Sequence, residues 1–193
     1  MLDVSGPGAP PRLTWHPDES KPTRTRNPPK DLKGYPPQAQ READGVRVSV
    51  QEMPEAAEYH TDGQGAGQYA TAWSAAAAPG RTTWFISTRI THPGATAADE
   101  AVERVRKAQR AGLAALEQTH RAGWHAYYPK SLLSVPDADV ESFYWIQLYK
   151  MASASRRGGP VLDLMGPWFM PTGWPGIWWN LNIQLTYWPY YMS

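Results

Sequence analysis

Five of the ten tryptophans in this chain fall between Trp168 and Trp188, close to its end at Tyr190-Tyr191-Met192-Ser193. A large apolar side chain stabilises a fold by roughly 1.5–3 kcal/mol only when burial removes it from water. Any fold of this chain must therefore find apolar neighbours for its most aromatic segment. No sequence follows that segment to supply them. The expectation is a piece of a larger body, part of whose core comes from outside these 193 residues.

The rest of the sequence is organised in clear stretches. Residues 1–40 are rich in proline, as in Asn27-Pro28-Pro29 and Tyr35-Pro36-Pro37, and read as extended or turn segments. Two readings stay open for them, a linker or the loops and an edge strand of a β domain. From 45 to 91 the signal is β. Val46-Arg47-Val48-Ser49-Val50 alternates as a half-buried strand does, and Gln68–Ser74 and Thr82–Ile90 are rich in aromatic and β-branched residues. Gly63–Gly67 and Pro79-Gly80 supply turns.

A helix is predicted to start at Thr96, with Asp99 completing a capping box. Glu100 with Arg104, and Glu103 with Lys107, stand four apart in the favourable order. Val102, Val105, Leu113, Leu116, Trp124 and Tyr127 form one apolar stripe until Pro129. A second helix, Ser142 to Ser155 with Asp137 or Asp139 as its cap, is apolar nearly all round, which predicts burial. Arg156-Arg157-Gly158-Gly159-Pro160 stops it.

Several function classes drop out on composition. A net charge of +1 gives no general attraction to nucleic acid or to an anionic membrane. No apolar run is long enough to span a bilayer as a helix. Without cysteine there is no disulfide, thiolate metal site or cysteine nucleophile. The histidines His16, His60, His92, His120 and His125 show no metal-ligand spacing, and no cofactor is expected. The N-terminal Met1-Leu2-Asp3-Val4-Ser5 run lacks the basic and apolar regions of a secretory signal.

After Glu141 the only carboxylate is Asp163. Glycoside hydrolysis ordinarily needs two facing carboxyl groups, so the aromatic segment cannot supply both. What it holds instead is amide. Asn180, Asn182 and Gln184 alternate with apolar residues beside tryptophans. Amide side chains donate and accept, which suits sugar hydroxyls, and they equally suit the backbone groups of a buried turn. The residues alone leave both readings open.

The run Asn180-Leu181-Asn182-Ile183-Gln184-Leu185-Thr186-Tyr187-Trp188-Pro189 resembles the N-I-N-L-Q-M-N-Y-W-P signature of the inverting α-L-fucosidase family of glycoside hydrolases. Trp178 stands where that family has histidine, and Thr186 where it has a later asparagine. Upstream, Tyr149–Arg156 is similar to the family's R-Y-L-L-I-S-S-S-R helix, Leu164–Trp168 to its L-Q-G-I-W, and Trp174 to its P-P-W.

The resemblance implies an α+β chain in three parts. Residues 1–95 would be the C-terminal part of an antiparallel β-sandwich with proline-rich loops. Residues 96–136 would be a helical linker, and 137–193 the start of an (α/α)6 six-hairpin toroid. It implies a carbohydrate substrate, with Asn180 and Asn182 in the catalytic machinery and Gln184, Trp168, Trp174 and Trp178 binding sugar. The general acid and base would lie beyond Ser193, so this chain alone would not turn over, and the whole enzyme would be secreted or periplasmic. A non-catalytic carbohydrate-binding or protein-interaction module is the alternative.

Overall fold

The computed structural model describes residues 1–6, 12–17, 35–55, 65–155, 157–158 and 181–188. The chain divides into two compact units, residues 1–119 and 120–193.

The first unit is built on one five-stranded antiparallel sheet, in the order β1-β5-β4-β3-β2. Its strands are β1 (Leu2–Ser5), β2 (Ala39–Ala43), β3 (Val46–Met53), β4 (Gly67–Ala78) and β5 (Arg81–Thr91). Two-residue turns make the hairpins. Asp44 and Gly45 both take positive φ, 47° and 75°, the geometry that closes a tight hairpin in line with the strand twist. Gly80, at φ 68°, does the same between β4 and β5. Among the described residues this is a single sheet, whose edge strand β1 lies within the proline-rich stretch and whose other edge, β2, starts at its end.

The sheet has two different faces. Val46, Val48, Val50, Ala70, Ala72 and Phe85 share one, and α1 (Ala97–Tyr127) covers it with Ala97, Ala98, Ala101, Val102 and Val105. Ala108 and Leu116 pack at the margin of this core. The opposite face mixes polar residues with the buried apolar side chains of Met53, Trp73 and Trp84. Alternation predicts solvent there for Ser49, yet Ser49, Gln51 and Thr71 are fully buried. The reason is a second cover. The Ser49 hydroxyl donates to Gln38 Oε1 at 2.7 Å, the Gln51 amide donates to the Pro36 carbonyl at 3.1 Å, and Trp15 lies 5.5 Å from Trp73.

The start of α1 differs from the capping box the sequence suggests. The Thr96 N–H donates to Thr91 Oγ1 at 3.3 Å, and the Thr96 hydroxyl donates to Glu100 at 2.9 Å. Asp99 stays exposed, its side chain 4.0 Å from Arg41. Glu100 takes Arg89 of β5 as its ion-pair partner at 2.5 Å, and Glu103 takes Arg110 at 2.8 Å. A partner offered by the sheet replaces Arg104 for Glu100. The apolar stripe is also interrupted. Gly112, at φ 77° and ψ 164°, leaves helical geometry and breaks α1 midway.

The second unit starts at His120, within α1. A 3-10 turn, Tyr128–Lys130, carries Pro129 and ends that helix as expected. The next helix, α2, spans Ala138–Ala154, four residues earlier than its apolar run suggests. Asp137 sets this start by accepting the N–H groups of Asp139 and Val140 at 2.9 and 3.1 Å. Gly158 follows at φ 72°. Within this chain only Leu148 of α2 is buried, and Phe143, Ile146 and Tyr149 are exposed. A single face of α2 meets the aromatic residues of this unit, and its other faces stay open. The last element is α3 (Leu181–Tyr187).

Candidate functional site

Two of the candidate residues, Asn182 and Gln184, lie on α3, and both are exposed. Asn180, Trp168, Trp174 and Trp178 fall outside the described residues, as does Asp163. Helical geometry changes what the alternating sequence suggests. Residues two apart are turned about 200° from each other on a helix. Asn182 and Gln184 therefore look out from different sides of α3. Ile183 and Tyr187, both half-buried, form its inner side, while Leu181, Leu185 and Trp188 are 57%, 47% and 55% exposed.

Sequence reasoning missed the aromatic cluster that organises the same unit. Trp124 is stacked between Tyr128 at 5.3 Å and Tyr149 at 5.2 Å. Tyr128 meets Trp145 edge-on at 5.7 Å, and Tyr127 meets Trp124 at 5.8 Å. The Tyr127 hydroxyl donates to the Leu148 carbonyl at 3.4 Å, and burial pushes its pKa above the ordinary tyrosine value. The signal was available: Trp124, Tyr127 and Tyr128 recur one helical turn apart, as do Trp145 and Tyr149. Offset and edge-on ring pairs of this kind each add about 0.5–1.5 kcal/mol beyond burial. Their role is to hold the helices of this unit together.

The first unit contains a cleft of about 530 Å³ between β2, β3 and α1. Val48 and Val102 line it together with Arg41, Asp44, Asp99 and Arg106. Glu42 and Glu103 line it as well, so its wall carries more acidic than basic side chains. Arg106 pairs with Asp44, Arg41 lies 4.0 Å from Asp99, and Glu103 pairs with Arg110. Of the Gly63–Gly67 stretch read as a turn, residues 63 and 64 lie outside the described residues, Gly65 takes φ 78°, and Gly67 opens β4.

Among the described residues there is no cluster of three or more His, Asp or Glu side chains able to hold a metal ion. None of the described helices is long and apolar enough to cross a membrane. The chemistry on view at α3 is thus that of neutral amides beside exposed apolar side chains. Such groups bind, orient and exchange hydrogen bonds, and they do not supply an acid or a base at neutral pH. Comparison with protein-family models, with curated proteins and with solved structures returns no match.

Proposed function

We propose that this chain is the sugar-binding and water-positioning part of an inverting glycoside hydrolase acting on α-L-fucoside-like or related glycosidic bonds. The observation that carries this is the run from Asn180 to Pro189, similar along its length to the signature of the inverting α-L-fucosidases. Support from the structure is coarser. An antiparallel sheet, a long helix and then further helices follow in the order that such a hydrolase requires. On this reading the sheet belongs to a β-sandwich, α1 to a linker, and α2 and α3 to the first hairpin of a six-hairpin toroid. Asn180 and Asn182 orient the attacking water, Gln184 and the neighbouring tryptophans hold the sugar, and the acid and base come from outside this chain.

The exposed position of Asn182 and Gln184 suits this role, because a sugar hydroxyl must reach them. A test is titration of the 193-residue chain with L-fucose and other monosaccharides, followed by shifts of backbone and side-chain amide resonances. Saturable shifts confined to the second unit are expected. No response to any sugar would overturn the proposal. A second reading, a protein-interaction module, is favoured by the exposure of Phe143, Ile146 and Leu185. It predicts self-association or capture of an apolar partner with no sugar response.

A further inference from the structure

The outward side of α2 carries a pattern that packing within the chain does not explain. Leu148 is buried and Trp145 meets Tyr128 edge-on at 5.7 Å, so these residues mark the inward side. Away from it, Val140, Phe143, Ile146 and Tyr149 are 54%, 65%, 49% and 45% exposed, and Asp139 and Lys150 are exposed as well. At about 100° per residue, Asp139, Phe143, Ile146 and Lys150 fall within roughly 60° of arc, in a row about three turns long. Val140 and Tyr149 flank that row, about 90° to either side.

The row reads alike from both ends. Phe143 and Ile146 stand at its middle, and its two ends carry charges of opposite sign, Asp139 and Lys150. When a second copy of α2 is laid against the first in the opposite direction, Phe143 opposes Ile146, Val140 opposes Tyr149, and Asp139 opposes Lys150. Laid in the same direction, Asp139 would meet Asp139 and Lys150 would meet Lys150. The helix dipole accounts for an acid in the first turn, but not for Lys150, which lies ahead of the last turn. Neither side chain has an ion-pair partner among the described residues.

We propose that the outward face of α2 pairs with the same face of a second copy of this chain, the two helices running antiparallel about a two-fold axis. Such a contact is isologous, so the surface need only be complementary to itself. Association takes Phe143 and Ile146 out of water, which supplies the attraction. The charged ends fix direction and register, because the parallel arrangement sets like charges together. About three turns of helix cover less than the ~800 Å² per partner of a stable complex, so the dimer is weak, with a Kd of roughly 10–1,000 μM. This inference does not rest on the carbohydrate reading, and it narrows the interaction-module reading to one partner.

Sedimentation equilibrium of the 193-residue chain, from micromolar to millimolar concentration, tests it. A monomer–dimer equilibrium with no larger species is expected. Phe143→Ala should weaken it about tenfold or more, since both helices lose a side chain from the middle of the contact. Asp139→Lys and Lys150→Asp should each weaken it roughly tenfold, because each sets like charges against one another at both ends. An equal mixture of those two variants should recover the wild-type affinity within about threefold, since opposite charges then meet at both ends. An unchanged near-ultraviolet dichroism from the Trp124 cluster shows that each variant is folded. A monomer at every concentration overturns the inference and leaves the face to a different partner. A dimer that Phe143→Ala leaves intact overturns it too, by placing the contact on another surface, as does a mixture that recovers nothing. No arm contains sugar, so the carbohydrate reading stands or falls separately.

Discussion

The side-chain carbonyl of Gln68 accepts the backbone N–H of Ala98 at 2.8 Å, so a residue of β4 caps the helix that lies across the sheet. The Gln68 amide donates in turn to Glu52 Oε1 on β3 at 2.8 Å. One buried side chain thus ties two strands to the N-terminus of α1. It also satisfies one of the four N–H groups that a helix start leaves without a partner. Local sequence around Thr96 cannot reveal such a cap, because it is supplied from thirty residues upstream.

Gln68→Ala is expected to lower stability by about 1–3 kcal/mol, because a buried N–H loses its acceptor. Gln68→Glu keeps an acceptor for Ala98 but sets a carboxylate against Glu52, and its deficit should shrink as the pH falls. Thermal melts of both variants at neutral and mildly acid pH check this. Wild-type stability in Gln68→Ala would mean that water replaces the cap at no cost.

Two glycines should respond to alanine in opposite directions. A Cβ at Gly67 would meet the Thr91 carbonyl at 2.9 Å and the His92 ring at 2.7 Å, and the carbonyl is backbone that cannot swing aside. Gly67→Ala is expected to cost about 1–3 kcal/mol. Gly123 lies within α1 with nothing within 4 Å of such a Cβ. Gly123→Ala should raise stability by roughly 0.5–1 kcal/mol through helix propensity. Paired denaturation curves decide both, and an equal sign for the two would contradict the packing.

These residues show where the fold was legible in the sequence and where it was not. β3, β4 and β5 announce themselves because one side of each packs on α1, leaving an alternating or apolar pattern. β1 and β2 do not, since Leu2–Ser5 and Ala39–Ala43 are edge strands exposed almost throughout. Asp44-Gly45 was the signal that could have found β2, being a strong two-residue hairpin turn placed directly before Val46. The burial of Ser49 and Gln51 was not legible because their cover is a distant segment with no periodicity of its own. At the candidate site the residue types were legible and their arrangement was not. Alternation reads as one face on a strand, and only the helix shows that Asn182 and Gln184 separate.

Acid should loosen the two ion pairs that pin β1 and α1 to the sheet. Hydrogen bonds from Arg81, then from Thr83, hold the Asp3 carboxyl below its usual 3.8. Those from Arg89, then from Thr96, hold Glu100 below its usual 4.5. Both folded values are depressed, so their stabilisation is complete above the ordinary carboxylate range. It drains away as the pH falls through the lower folded values. Asp3→Asn should flatten the acid limb of a melting-temperature profile measured downward from about pH 5. Added salt should shrink the difference, because both pairs are partly exposed. Parallel acid limbs in mutant and wild type would remove Asp3 from the account.

Substitution of Asn182 separates a reacting role for this amide from a structural one. An inverting hydrolase must place one water on the face of the sugar opposite the leaving group. The general base fixes that water through one hydrogen bond, and a second contact from an amide oxygen fixes its direction. Misplacing a reacting atom by about 1 Å can cost ~100-fold in rate. The 193-residue chain alone is expected to release no nitrophenol from nitrophenyl α-L-fucoside, because each carboxyl role contributes about 10²–10⁴-fold. In the hydrolase of which it is proposed to be part, Asn182→Ala should lower kcat roughly 100-fold with a smaller change in KM, the mark of an interaction made mainly in the transition state. Asn180→Ala should do the same. Position 182 is exposed on a helix, where alanine is a favourable residue, and the loss of its existing interaction within the chain should cost no more than about 1.5 kcal/mol. A loss of turnover at unchanged melting temperature therefore cannot be ascribed to unfolding. If Gln184 binds the sugar ring as proposed, Gln184→Ala should behave in the opposite way, raising KM with kcat nearly intact, because hydrogen bonds away from the reacting bond would be equal in the ground and transition states. Wild-type turnover in Asn182→Ala would end its catalytic assignment and leave an amide that serves only the local structure of α3.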